Sequence, residues 1–158
     1  MAEAAGLVAS ITGIVGFATK VCNLCYGYYG EVKDAQEDID RLTTEISSLA
    51  DLLKPLSTPA EASKIPQTPD SDSDSMLQLV HQFTEILKQL QDELQPQIDK
   101  QSDGRIRKAM GSAKTRLMWP FKKEDNQRRI QKIERLKTSV ILKLQLWVAH
   151  IFRSQTSC

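Results

Sequence analysis

Scarce cysteine, scarce aromatics and the near absence of strand patterning set the first limits on this chain. Three cysteines in 158 residues, Cys22, Cys25 and Cys158, do not suggest a disulfide scaffold. Alternating apolar and polar runs are nearly missing, and apolar residues recur instead at helical spacing, which predicts an all-α fold. We expect one domain over residues 1–158, a compact bundle of four to five helices, since a chain of this length buries a respectable core. No run of about 20 apolar residues occurs, so no transmembrane span is expected. There is no basic leader with an A-x-A site, the second residue is Ala, and the final SQTSC is not a prenylation box. A reduced, cytoplasmic setting is the expectation.

Catalytic apparatus is missing as well. No G-x-x-x-x-G-K-[ST] phosphate loop is present. Cys22 and Cys25 spell C-x-x-C, but inside a helical pattern and without a second pair. A tetrahedral zinc site there would need His81 or His150 to converge on it, and a redox dithiol would want a β-α-β context. Two small helix-packing residues are the simpler reading. No carboxylate sits beside a plausible nucleophile. The expectation is a non-enzyme with no cofactor and no metal.

What is present is unevenly distributed. Five of seven glycines precede Glu31, and four of six prolines are Pro55, Pro59, Pro66 and Pro69. Residues 4–19 carry no charge. Over about 2–29, Leu7, Ile11, Ile14, Phe17 or Ala18, Val21 and Leu24 or Cys25 trace one apolar face. Ala5, Ala9, Gly13 and Gly16 form a small-residue stripe. Each interior glycine costs about 1 kcal/mol of helix propensity relative to Ala, so this helix is expected to need close packing partners, for which the stripe supplies a surface in a bundle or in a membrane. Sixteen uncharged residues reach only about 24 Å, short of a ~30 Å hydrocarbon core.

Over about 32–53, Val32, Ala35, Ile39, Leu42, Ile46, Leu49, Leu53 and Leu56 step by three and four, a heptad-like seam. Residues 55–75, rich in Pro, Ser and Asp, predict a long mobile loop, with Ser75 as the N-cap of the next helix. That helix, about 76–100, has the stripe Leu79, Phe83, Ile86, Leu90, Leu94 and Ile98, and Pro96 is expected to kink or shorten its end. A further helix is predicted over about 105–117. Trp119, Pro120 and Phe121 form a structural corner, in which Pro120 breaks the helix and the aromatics pin the turn. The last helix, about 123–151, has Ile130, Ile133, Leu136, Val140, Leu144, Trp147 and Ile151 on its core face. A frayed tail follows over 153–158.

Net charge is +1, but residues 31–99 hold 15 acids against 5 bases, and residues 100–137 hold 13 bases against 4 acids. Such a split fits helices that pair within a bundle, or a basic face meeting an acidic partner or anionic lipid. No nucleic-acid-binding signature accompanies the basic half, and no nucleic-acid partner is expected.

The stretches MAEAAGLVASITGIVGFATKVCNLCYGYYGEVKDAQEDIDRLTTEISSLADLL and RLMWPFKKEDNQRRIQKIERLKTSVILKLQ resemble the HeLo-like N-terminal domains of fungal NOD-like receptors and related STAND proteins. The opening Met-Ala-Glu, the glycine-spaced apolar helix and Trp119-Pro120-Phe121-Lys122 are specific together. The resemblance implies a helical bundle that executes cell death in fungal innate immunity and incompatibility. In that family an apolar N-terminal helix is released on oligomerisation and inserted into the plasma membrane. Here Leu7, Val8, Ile11, Ile14, Val15 and Phe17 match that helix. Anionic membrane lipids, further copies of the chain, and a NOD-like receptor or amyloid-motif partner in trans are the implied partners. Arg105, Arg107, Lys108, Lys114, Arg116, Lys122 and Lys123 would hold the lipid headgroups. A nucleotide-binding module, repeats or an amyloid motif commonly follow this domain in the family, and residues 1–158 contain none of them. The alternative from the residues is an adaptor bundle that docks another helix through the 39–56 seam, its first helix a core element whose glycines let backbones approach.

Overall fold

The computed structural model describes residues 2–30, 32–62, 72–102 and 119–156, and these are helical with short connections and no strand. Helix α1 spans Ala2–Tyr26, α2 Gln36–Leu53, α3 Pro59–Ala62, α4 Asp72–Ser102 and α5 Lys123–Thr156. The predicted helix over 105–117 lies outside the described residues.

Helix α1 gives way at Gly27 to a turn held by Tyr28 N–H to the Cys25 carbonyl (3.1 Å) and Tyr29 N–H to the Tyr26 carbonyl (3.0 Å). A 3-10 turn, Lys33–Ala35, then leads into α2. The chain reverses here. Cys22 meets Thr43 and Ser47, while Tyr29 donates to Asp40 (3.2 Å), so α1 and α2 are antiparallel. The heptad-like seam is the centre of the core. Ala35, Ile39, Leu42, Ile46, Leu49, Leu53 and Leu56 are all buried, and Val32 packs against them half-buried. Each large member contributes roughly 1.5–3 kcal/mol on leaving water. Thr43, buried on the same helix, donates to the Ile39 carbonyl (2.7 Å), so its hydroxyl costs little.

Helix α1 packs on α2 and α4, and α5 packs on the same two helices. On α5, Asn126 reaches the Asp38 carbonyl and Lys137 pairs with Glu45, so α5 runs parallel to α2. The antiparallel α1–α2 pairing sets the N-terminal half of α1 against the 3-10 turn Lys54–Ser57 and α3, both of which α1 touches. The N-terminus of α1 and the C-terminal ends of α2 and α5 therefore share one end of the bundle.

Several boundaries differ from expectation. The span 55–75 is not a continuous loop. Residues 55–57 lie in a 3-10 turn, 59–62 form α3, and 72–75 belong to α4. Pro59 opens α3, where its missing N–H is harmless. Ser75 lies one turn inside α4 and is not its N-cap. Helix α4 runs through Pro96 to Ser102. The Tyr28 hydroxyl ties this turn to α1 by donating to the Leu94 carbonyl (2.7 Å). The core face of α4 is Met76, Val80, Phe83, Leu87, Leu90 and Leu94, while the expected Leu79 and Ile86 are half-buried on its flank. Residues 153–156, expected to fray, belong to α5, where the Thr156 hydroxyl bonds the Phe152 and Arg153 carbonyls (3.2 and 3.1 Å).

Candidate functional site

Helix α1 is a two-faced helix without charge on either face over most of its length. Leu7, Ile11, Ile14, Ala18, Val21 and Cys25 are buried against α2 and α4, which resolves the two ambiguous positions in favour of Ala18 and Cys25. Val8, Val15 and Phe17 are half-buried at the edges. The outward face is Ala5, Gly6, Ala9, Ser10, Thr12, Gly13, Gly16 and Thr19, all exposed. The hydroxyls of Thr12 and Thr19 turn back onto the helix, to the Val8 and Val15 carbonyls (2.8 and 3.1 Å). A surface helix of a soluble bundle ordinarily puts charge on its outer face, and between Glu3 and Lys20 α1 carries none.

Of the two settings expected for the small-residue stripe, packing in a bundle is not the one used. A Cβ placed on Gly6, Gly13 or Gly16 would meet nothing within 4 Å. Among the described residues no neighbouring backbone approaches these glycines, so close packing against them is not their role. The length estimate also changes. From Ala5 to Tyr26 the helix is long and apolar enough to cross a membrane, 22 residues interrupted only by Lys20. At 1.5 Å per residue this is about 33 Å, enough for a ~30 Å hydrocarbon core. The 24 Å figure stops at Lys20, and extension past it, with that one lysine snorkelling, supplies the difference.

Both helix-internal cysteines are free thiols packed in the core. Burial pushes the Cys25 thiol up to about 12, with the adjacent Cys22 adding to the effect. Burial also raises Cys22, against a weak contact with the Ser47 hydroxyl. A thiol held protonated is a poor nucleophile and a poor metal ligand. His81 and His150 are both exposed, away from these buried sulfurs. Among the described residues no three His, Cys, Asp or Glu side chains gather as a metal site.

The corner at 119–121 is an aromatic knot. Trp119 meets Phe121 edge-on (4.8 Å between centroids, 89°) and Tyr28 edge-on (5.5 Å, 78°). Arg129 lies over the Phe121 ring (4.1 Å) and pairs with Glu93 (2.6 Å). Phe121 is buried, and Trp119 and Pro120 are half-buried. The knot joins the end of α1, α4 and the start of α5, and its rings pack edge to face on one another, not offered to a base. Sequence inspection found the corner but missed Tyr28, Glu93 and Arg129, which converge only through the tertiary fold. Of the basic residues expected to meet lipid, Lys122 and Lys123 are exposed at the start of α5, and the five from Arg105 to Arg116 lie outside the described residues.

A second surface escaped notice altogether. Beyond Val140, only Trp147 of α5 is buried among the described residues. Ile141, Leu142, Leu146, Val148 and Phe152 are exposed, with Leu146 and Phe152 at 67% and 63%. With Leu52 at the end of α2, Ile141, Leu144, Val148 and Phe152 line an open apolar groove of about 480 Å³. The signal was legible in SVILKLQLWVAHIF, whose apolar residues cover a wider arc than one core stripe requires, leaving Ser139, Lys143 and His150 together on the remaining side.

No family model matches this chain, and neither a curated protein nor a solved structure matches it.

Proposed function

We propose that this chain is a membrane-permeabilising effector domain of the HeLo-like kind, held in a resting bundle and activated by release of α1. The observation that carries this is the outer face of α1. A core helix of a soluble bundle has no need of an uncharged outer face, but a helix that must also lie in lipid does. The inner face, Leu7, Ile11 and Ile14, is satisfied by α2 and α4 at rest and by acyl chains after insertion. The stripe of Ala5, Ala9, Gly13 and Gly16 idles at rest and would let inserted helices pack closely in an oligomer. The setting is cytoplasmic, with relocation to the plasma membrane on activation.

The adaptor alternative rested on the 39–56 seam and on the split between acidic and basic segments. The burial of that seam within the bundle, and the open space beside the exposed glycines, support the membrane reading over it.

Dye release from anionic vesicles tests the proposal, using the intact chain, a chain lacking residues 1–19, and Gly13→Glu. The glutamate has open space in the bundle, so it leaves the resting fold intact while charging the inserted helix. Leakage from the intact chain alone is expected. Equal leakage from all three would overturn the proposal.

A further inference from the structure

Resting on the membrane proposal, we infer that α1 leaves the bundle in two stages, with a latch built around Tyr28 holding residues 22–29 in place after residues 5–18 have opened. Three observations converge on it. The first is where the polar ties fall. Among the described residues, every hydrogen bond from α1 and its following turn to another element involves Cys22 or a residue beyond it. The fully buried Tyr28 hydroxyl donates to the Leu94 carbonyl of α4 (2.7 Å). From α2 and its start, Thr43 donates to the Tyr26 hydroxyl (3.3 Å) and Gln36 to the Tyr29 carbonyl (2.9 Å), while Tyr29 donates to Asp40 (3.2 Å). Trp119 packs edge-on against Tyr28 (5.5 Å), and its knot is fixed to α4 by the Arg129–Glu93 pair. Over 5–18, by contrast, the Thr12 hydroxyl bonds only within its own helix.

The second is local stability. Gly6, Gly13 and Gly16 all lie in the first part of α1, and residues 17–26 contain no glycine. Each interior glycine lowers the helical population roughly two- to fivefold relative to Ala. The N-terminal half also leans on short elements, the Lys54–Ser57 turn and the four residues of α3. Residues 22–29 are held instead by two long helices and the knot. A segment with few polar ties and light cover opens by local unfolding before the rest of the fold.

The third is length. At 1.5 Å per residue, residues 5–20 make about 24 Å of helix, short of a ~30 Å hydrocarbon core. Residues 21–26 supply what is missing, and they are the stretch that the latch tethers. Opening of the first half therefore frees an apolar segment that does not yet span. The span is completed only when Tyr28 gives up the Leu94 carbonyl, so the latch is a second lock on permeabilisation.

The test is hydrogen exchange read by mass spectrometry on the full chain, alongside flotation and dye release with phosphatidylserine vesicles. Tyr28→Phe and Tyr29→Phe each remove one hydroxyl and keep the ring, so circular dichroism should match the parent. In the parent, amides over 5–18 are expected to be about tenfold or more less protected than those over 21–29. Tyr28→Phe should lower protection over 21–29 by about fivefold and leave 5–18 within about twofold. It should also float with the vesicles like the parent and release dye several-fold faster. Tyr29→Phe, whose bond to Asp40 is exposed, should show the same pattern more weakly. Even protection along α1, or a Tyr28→Phe variant that loosens 5–18 as much as 21–29, means that α1 opens as one unit and overturns the inference, whatever the vesicles show. If Tyr28→Phe loosens 21–29 but releases dye at the parent's rate, the latch is not a lock on insertion and the inference fails while insertion of α1 stands. If exchange is divided as expected but the parent never releases dye, the two-stage opening stands and the membrane proposal fails.

Discussion

Glycine at 13 and 16 is a choice against stability. Each sits mid-helix with open space where a Cβ would go. Gly13→Ala and Gly16→Ala should each raise resting stability by about 0.5–1 kcal/mol, read as a higher midpoint in denaturant. Loss of stability in either would mean the stripe packs against something. The buried thiols make a second prediction at this scale. Their folded values lie above the ordinary 9.0, so the folded state keeps its protons where the unfolded chain loses them. Stability is then whole below pH 9 and falls as pH rises toward 12, by up to about 1.4 kcal/mol per unit for Cys25. Denaturation curves between pH 7 and 10.5 should show this decline, and Cys25→Ala should make it shallower. An unchanged slope would count against a protonated Cys25. Which thiol is deepest was not legible in C-x-x-C, because i and i+3 share a face and only the position of α2 separates them.

Among the elements, α1 and the end of α5 invert the usual relation between apolarity and burial. The most buried side chains of α1 should be costly to truncate. Ile11→Ala, at a fully buried position, should cost about 2–5 kcal/mol. Leu146→Ala on α5 should stay within about 0.5 kcal/mol despite removing as large a group. Urea titrations of the two variants check the contrast, and equal losses would mean that the end of α5 is packed. The seam of α2 was readable residue by residue, since, Thr43 apart, its polar positions fall out of phase with the seam. On α4 the face was read partly out of register. Leu79 and Val80, and Ile86 and Leu87, are adjacent apolar pairs, so periodicity alone does not choose between them. Packing against α1 and α5 does.

At the scale of the molecule, the parallel run of α5 with α2 and the antiparallel run of α1 gather two apolar features at one end. Under the proposed function, in which α1 must leave the bundle, stabilising the bundle should slow permeabilisation. Gly16→Ala, which adds nothing bulky or charged, is therefore expected to bind phosphatidylserine vesicles like the parent but release dye several-fold more slowly. Equal rates would show that release of α1 is not the limiting step. The opposite corner, where Tyr28, Trp119, Phe121 and Arg129 interlock, fastens the C-terminal end of α1. An opening that begins at the N-terminus leaves this knot as the hinge side.

The sequence by itself determined the all-helical class, the α2 seam, the uncharged first helix and the aromatic corner. Each depends on spacing along one helix or on side-chain chemistry, and both are local. Tertiary structure alone decided that the glycines face water, that α1 is sheltered on its other side, and that the end of α5 is left uncovered. Those are matters of which face meets a neighbour, and a helix whose residues are uncharged or apolar all round carries no internal record of that choice.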